Sequence, residues 1–309
     1  MSGIGVILNP HSRSNRRNPE RIRRLAFIVG DKGSCHATQD VLDVPRIAEE
    51  FAQRQIEVIG ISGGDGTIHH VISTLISVYG DRPLPMIALL RGGTINNVSN
   101  ALKIQGTPES VLSRLILKYH ENEPFETAAL HCLNVNGRYG FLFGNGLVFN
   151  FIREYIERGE GGVRNVVGML AKSIGSSLFH TRYMLQCARR FDAKVTVDGE
   201  EWPWKNYIVL DAGAVEPLGF GFRPFYRARE QPGHFHMMGL SMRPRDILSG
   251  LWNIWRAKAT GSEHYLESLA QEVVIELAEP QGYTIDGEIY PPVESITLRC
   301  GPQLCMIRA

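Results

Sequence analysis

The chain has 309 residues, 43% of them hydrophobic and 21% charged, with a formal net charge of +1. The length suits two domains, the composition is that of a soluble globular protein, and the near-neutral charge excludes a globally basic nucleic-acid binder. No run approaches the roughly 18 apolar residues of a membrane span, and the five cysteines (Cys35, Cys132, Cys187, Cys300, Cys305) include no CxxC pair, so neither a zinc site nor a disulfide framework is indicated.

The segment Met1 to Asn9 is too short and polar-flanked for a signal peptide, so a cytoplasmic protein touching lipid only peripherally is expected. Gly3 to Leu8 reads as a first strand, followed by the polar loop Asn9-Pro10-His11-Ser12-Arg13-Ser14-Asn15. A loop in that place is a common ligand position in an open α/β sheet. Six arginines follow within twelve positions: Arg13, Arg16, Arg17, Arg21, Arg23 and Arg24. They read either as a solvated helix face or as a contact with nucleotide phosphates or an anionic membrane surface.

Asp43 to Gln55 predicts a helix with Pro45 in its first turn and Ile47, Ala48 and Phe51 on one side. The apolar run Val58-Ile59-Gly60-Ile61 predicts a buried strand. After Ser62-Gly63-Gly64-Asp65-Gly66-Thr67 come Ile68, Val71, Ile72, Leu75, Ile76 and Tyr79, spaced as one face of a helix. The glycines therefore occupy a strand-to-helix turn, with Thr67 placed to cap the helix. Its N–H groups and the helix N-terminus would make an anion site suited to phosphate. Asp65 is the one ionisable side chain inside it, and a carboxylate beside phosphate needs a metal or a proton donor. The plain alternative is a tight turn with a solvated aspartate.

Pro85 to Leu90 is a further short strand, running into Arg91-Gly92-Gly93-Thr94-Ile95-Asn96-Asn97 and another helix. Two Gly-Thr turns one βα unit apart would share one carboxyl edge of a parallel sheet. Thr107-Pro108-Glu109 opens a helix with apolar Val111, Leu112, Leu115 and Ile116. From about Glu126 the pattern changes. Strand-like runs at Thr127 to Val135, Tyr139 to Phe149, Lys194 to Val197, Tyr207 to Asp211, His234 to Met242, Val273 to Leu277, Ile296 to Cys300 and Leu304 to Ile307 predict an antiparallel sheet or sandwich. Phe151 to Arg189 reads as mostly helical and basic. Arg245 to Ala259 reads as a helix whose Trp252 and Trp255 belong to a core.

Taken together, Asn9-Pro10-x-Ser12, Gly63-Gly64-Asp65-Gly66-Thr67, Gly93-Thr94-x-Asn96-Asn97, Gly144-Asn145-Gly146, Gly219-Phe220-Gly221-Phe222-Arg223-Pro224 and Ile285-Asp286-Gly287-Glu288 resemble the diacylglycerol kinase catalytic-domain family. That family includes bacterial soluble lipid kinases and is related to sphingosine and ceramide kinases. The resemblance implies a Rossmann-like α/β nucleotide-binding domain (1–125, with 297–309 returning to it) and a β-rich antiparallel sandwich for the lipid (126–296). It implies ATP and Mg²⁺ as cofactors and a diacylglycerol-like or ceramide-like lipid hydroxyl as acceptor, met at a membrane surface. Asn9, Ser12, Gly63, Gly64, Gly66, Thr67, Gly93 and Thr94 would hold ATP phosphates, and Asn96 and Asn97 would fix the nucleotide or the lipid hydroxyl.

On the same resemblance Asp286 leads as proton acceptor, with Glu288 beside it, and Asp65 positions the metal and is the second candidate for base. Such transfer needs held phosphates, charge neutralisation and a base. Asp-Gly-Glu occurs twice, however, at Asp198-Gly199-Glu200 and Asp286-Gly287-Glu288, and Asp-Gly between strands is also a hairpin signal. Arg13, Arg91 and Asn97 depart from the glycine, proline and aspartate common in the family, and Arg227 to Phe235 lacks the acidic pattern of a structural magnesium site. Two other readings stand beside the lipid kinase: a phosphotransferase like NAD kinase, and a homologue that binds nucleotide or lipid without catalysis. The oligomeric state, a homodimer included, is not legible.

Overall fold

The computed structural model describes residues 3–30, 33–93, 95–157, 188–218, 222–241 and 264–308. The predicted helix Arg245 to Ala259, most of the helical stretch after Phe151, and Thr94 with Gly219, Phe220 and Gly221 lie outside the described residues. Contacts divide the chain into two compact units, Met1–Leu130 with Pro302–Ala309, and His131–Gly301.

The first unit runs β1 (Ile4–Leu8), α1 (Arg13–Arg17), α2 (Arg21–Val29), β2 (Ser34–Ala37), α3 (Asp43–Gln53), β3 (Val58–Ser62), α4 (Asp65–Tyr79), β4 (Met86–Leu89), α5 (Asn97–Ala101) and α6 (Pro108–His120). Strand β1 pairs in parallel with both β2 and β3, and β3 with β4. The spatial order is therefore 2-1-3-4. Every residue of β1 and β3 is buried, as expected for strands covered on both faces of a parallel sheet. The helices bury the stripes their spacing announces: Val44, Ile47, Ala48 and Phe51 on α3, then Ile68, Val71, Ile72 and Leu75 on α4, then Val111, Leu112 and Leu115 on α6. Thr107 caps α6 through its side chain, with Pro108 and Glu109 in the first turn. Strand β2 was not read from the sequence, because Ser-Cys-His-Ala has no apolar run and sits at the sheet edge.

The remaining elements are β5 (Thr127–Val135), β6 (Arg138–Gly140), β7 (Leu142–Gly146), α7 (Leu147–Glu157), β8 (Phe191–Val197), β9 (Glu200–Glu201), β10 (Asn206–Tyr207), β11 (Val209–Gly213), β12 (Phe235–Leu240), β13 (Tyr265–Ala270), β14 (Glu272–Ile285) and β15 (Glu288–Ile307). In the second unit the pairing is antiparallel, through β13, β12, β11, β7, β14 and β15. Strand β14 pairs with β8 over Val273–Leu277 and with β7 over Tyr283–Ile285, and register shifts between Glu276 and Tyr283 separate the two stretches. The predicted strand Tyr139 to Phe149 breaks at Phe141 and stops at Gly146, where α7 begins. Gly146 has φ +64°, and a Cβ there would lie 2.4 Å from the Ile208 carbonyl, so only glycine makes this corner. The end of β15 lies in the first unit, where Met306 and Ile307 pair in parallel with Ile87 and Ala88 of β4.

Candidate active site

The order 2-1-3-4 reverses direction between β1 and β3, and ligands in open α/β sheets bind at the carboxyl ends of the strands flanking such a point. The loops following those two strands are joined there. The Asn9 amide donates to the Ser62 carbonyl (2.9 Å), and Asn9 Nδ2 donates to Thr67 Oγ1 (2.9 Å). Buried Asn15, which the sequence reading passed over, sends Nδ2 to the carbonyls of Asn9 (2.8 Å) and Ser62 (3.2 Å). Arg21 steadies this loop, its Nη1 donating to Ser14 Oγ (2.7 Å) while its Nε bonds Glu109 on α6 (3.0 Å). One arginine of the basic run is thus internal.

Glycine is required in these loops for a reason beyond ligand access. A Cβ on Gly92 would lie 2.6 Å from the Gly63 amide nitrogen, and one on Gly93 would lie 2.4 Å from Gly64 Cα. The loops after β3 and β4 pack backbone on backbone, and any side chain between them would push them apart. A Cβ on Gly63 would collide with Thr67, 2.4 Å away.

Helix α4 begins at Asp65, with Gly64 as its N-cap and no side chain capping it. Thr67 lies inside the first turn, and its hydroxyl is held by Asn9 rather than serving as the cap expected from the sequence. The first-turn N–H groups of this helix have no intrahelical acceptors, which suits an incoming anion.

Asp65 turns away from that turn and toward the second loop. Its Oδ2 accepts from the Asn97 amide (3.2 Å) at the start of α5. Burial pushes its carboxyl up to about 6, against the lowering pull of backbone N–H groups at 96 to 98. The residue is only half-buried overall, but Oδ1 is closed off from solvent and has no hydrogen-bond partner. Asn96, in the left-handed region at φ 56°, folds back so that its Oδ1 accepts from the Gly93 amide (3.0 Å) and its Nδ2 donates to the Gly93 carbonyl (3.1 Å). Asn97 Oδ1 and Ser12 Oγ are buried without partners. Asn9, Ser12, Gly63, Gly64, Asp65, Gly66, Thr67, Gly93, Asn96 and Asn97 therefore belong to three adjoining loops of the first unit, those after β1, β3 and β4.

Asp286 and Glu288 belong to the second unit. Asp286 (φ 50°) and Gly287 (φ 89°) are the two turn residues between Ile285 and Glu288, a hairpin of the mirror-image type that Asp-Gly favours. The Asp286 carboxylate accepts from the amides of Phe141 (3.0 Å) and Leu142 (2.9 Å), and its own amide donates to the Leu142 carbonyl. The earlier copy does the same. Asp198 (φ 47°) and Gly199 (φ 87°) turn β8 into β9, and the carboxylate accepts from the amides of Gln271 (3.0 Å) and Glu272 (2.8 Å). The two Asp-Gly-Glu segments are one structural device used twice.

Residues 3–125 match the family described as diacylglycerol kinase catalytic domain. "Putative lipid kinase SERP0390" of Staphylococcus epidermidis is 23% identical over 249 residues, 79% of this chain and 74% of that one. "Probable lipid kinase YegS" of Salmonella arizonae is 24% identical over 224 residues, 70% of this chain and 67% of that one. A "Putative lipid kinase" of Streptococcus pneumoniae is 27% identical over 113 residues, and the match spans 37% of its length. A solved structure described as a putative diacylglycerol kinase from Bacillus anthracis superposes over all of this chain and 97% of its own, with a TM-score of 0.73 at 19% identity. At that identity the likeness speaks for the two-domain α/β fold.

Proposed function

We infer, from a first unit whose residues 3–125 belong to the diacylglycerol kinase catalytic-domain family and from the carboxylate built into its paired glycine loops, that this protein is an ATP-dependent lipid kinase. The observation that carries the reading is Asp65, with one oxygen fastened to the second loop and the other buried without a partner. A lone acceptor in that position fits a group that arrives with the ligand: a magnesium ion on ATP phosphates, or the proton of an attacking hydroxyl. Mg²⁺ is commonly bound through a carboxylate or two plus substrate phosphates.

In this reading the first-turn amides of α4 and the loop after β1 receive the phosphates, and the Asn9–Thr67 hydrogen bond sets the spacing between them. A bound magnesium ion would offset phosphate charge in the transition state. Asp65, its carboxyl raised to about 6, has a basicity close to the operating pH, where a general base works best. Asp286 is less suited to that role, because both amides it accepts from favour its staying where it is. We therefore place Asp65 first as proton acceptor and Asp286 as the brace of a hairpin. The acceptor is a lipid alcohol of the diacylglycerol or ceramide type.

The test is transfer of labelled phosphate from ATP to diacylglycerol, ceramide, sphingosine and phosphatidylglycerol, with NAD in a separate reaction. A labelled lipid is the expected product. A labelled NAD product, or ATP binding with no product at all, overturns the lipid-kinase reading.

A further inference from the structure

The loop after β1 carries an arginine in an unusual condition. Arg13 is half-buried, and its Nη1 is closed off from solvent with no hydrogen-bond partner among the described residues. The adjacent Ser12 Oγ is enclosed and unpartnered in the same way. A guanidinium nitrogen withdrawn from water without an acceptor is costly, because nothing replaces the hydration it has lost. Backbone bonds nevertheless hold the residue in place. The Ser12 amide donates to the Asn9 carbonyl (3.3 Å), the Ser14 amide to the Gly92 carbonyl (3.3 Å), and the Arg16 amide to the Ser12 carbonyl (2.8 Å). Arg13 is therefore fixed where the loop after β1 meets the loop after β4.

What this cation lacks is an anion. Asp65 is fastened to the Asn97 amide, and among the described residues Arg13 makes no ion pair. Two kinds of unsatisfied group thus line the adjoining loops: donors at Arg13 Nη1 and Ser12 Oγ, acceptors at Asp65 Oδ1 and Asn97 Oδ1. The donors suit phosphate oxygens, and the acceptors suit a metal ion or hydroxyl arriving with them. Arg16 and Arg17 on the same short helix are exposed, so the charge of the run does not by itself account for position 13. The glycine common there in the family supplies no charge, which makes the cation this chain's own addition to the loop.

We propose that Arg13 binds the outer phosphates of ATP and neutralises charge on the phosphoryl group as it is transferred. The second half rests on the kinase reading; the first rests on the orphaned guanidinium alone. In the step concerned, the acceptor hydroxyl oxygen bonds the γ-phosphorus while the bridging P–O bond breaks. The electron pair of that bond leaves on ADP, the hydroxyl proton passes to Asp65, and Arg13 only donates hydrogen bonds. An arginine supplied by the same chain can be worth about 1000-fold or more in turnover.

Calorimetric titration of the full chain with ATP and with AMP, without lipid, tests the contact, together with urea unfolding of the nucleotide-free protein. R13Q is expected to weaken ATP binding about 10- to 100-fold and to leave AMP binding unchanged. Without nucleotide, R13Q should unfold at the same urea concentration as the wild type or a higher one, because an enclosed, unpaired charge has been removed. Unchanged ATP affinity, an equal loss for AMP, or unfolding of R13Q at lower urea would overturn the proposal. The last is the result a merely structural arginine gives. Phosphate transfer to lipid separates the two readings. A lipid product from the wild type, with ATP affinity unchanged in R13Q, keeps the kinase and removes Arg13 from its site. The expected loss of ATP affinity, with no lipid product from the wild type, keeps the phosphate contact and removes the kinase. Where lipid is phosphorylated, R13Q should lose about 1000-fold in turnover, and an unchanged turnover would overturn the role in transfer.

Discussion

Asp65 was legible in the sequence as the lone carboxylate of a glycine loop, but its partner was not. Nothing local to Gly63-Gly64-Asp65-Gly66 says that the side chain will reach the start of a helix 32 residues later. The ionisation of Asp65 gives a measurable consequence. Its folded-state value, about 6, lies above the ordinary 3.8, so the protonated form favours folding. That contribution is complete below about pH 3.8 and is lost as pH rises through about 6. Asp65→Asn should therefore gain stability relative to the wild type between pH 5 and pH 8, by about 1.4 kcal/mol at most, read from urea unfolding at both values. A constant difference across that range would show that Asp65 does not titrate as its burial requires.

The glycines make a second prediction at single positions. Gly92→Ala places a methyl group 2.6 Å from a backbone nitrogen that has no room to yield. A loss of about 1–3 kcal/mol, the usual effect of overpacking, is expected together with weakened ATP binding. Calorimetry and nucleotide titration of the same variant would read both. The paired Asp-Gly turns add a third. Asp198→Asn and Asp286→Asn disturb the same kind of clamp, so each should cost about 1 kcal/mol of stability in denaturant unfolding. A much larger loss of catalysis than of stability in Asp286→Asn alone would return that residue to a chemical role.

Among the elements, those with strong periodicity were readable and those defined by long-range pairing were not. Helices α3, α4 and α6 and strands β1, β3 and β5 follow from spacing, since their buried residues recur at the intervals the two geometries require. Strand β2 is an edge strand with little to bury, and β13, Tyr265–Ala270, is half-exposed along most of its length. The end of β7 at Gly146 comes from a glycine corner that a run of apolar letters conceals. Helix α2 was visible as charge alone. The structure shows that one arginine of that run fastens it to α6, with the Arg21 and Glu109 side chains only 11% and 20% exposed. Removing one partner of such a pair strands the other, so Arg21→Ala should destabilise the first unit by about 2–3 kcal/mol. Arg23→Ala should be nearly neutral. Equal melting temperatures for the two variants would contradict this division of the run.

Over the molecule as a whole, stability in acid is set by more than the glycine loops. In the second unit, burial holds His236 down to about 4, although Glu267 at 3.2 Å pulls it the other way. The same carboxylate accepts from Tyr226 (2.6 Å) and Tyr265 (2.9 Å), an arrangement that holds the carboxylate, and the imidazole against it, in place. Because the folded value lies below the ordinary 6.5, this contribution is complete above about pH 6.5 and is lost as pH falls through about 4. It runs opposite to that of Asp65 over nearly the same range, so the wild-type pH profile blends the two. His236→Gln should flatten acid destabilisation between pH 6.5 and 4, and an unchanged slope would remove His236 from the account.

The measurement that bears most directly on the proposed chemistry is phosphate transfer to the preferred lipid by Asp65→Asn and Asp286→Asn, compared at equal folded concentration. With Asp65 as proton acceptor, the first variant should lose about 100-fold or more in turnover, and the second should stay within about tenfold of the wild type. Full activity in Asp65→Asn with none in Asp286→Asn would contradict the account, and would place the chemistry on the hairpin of the second unit instead.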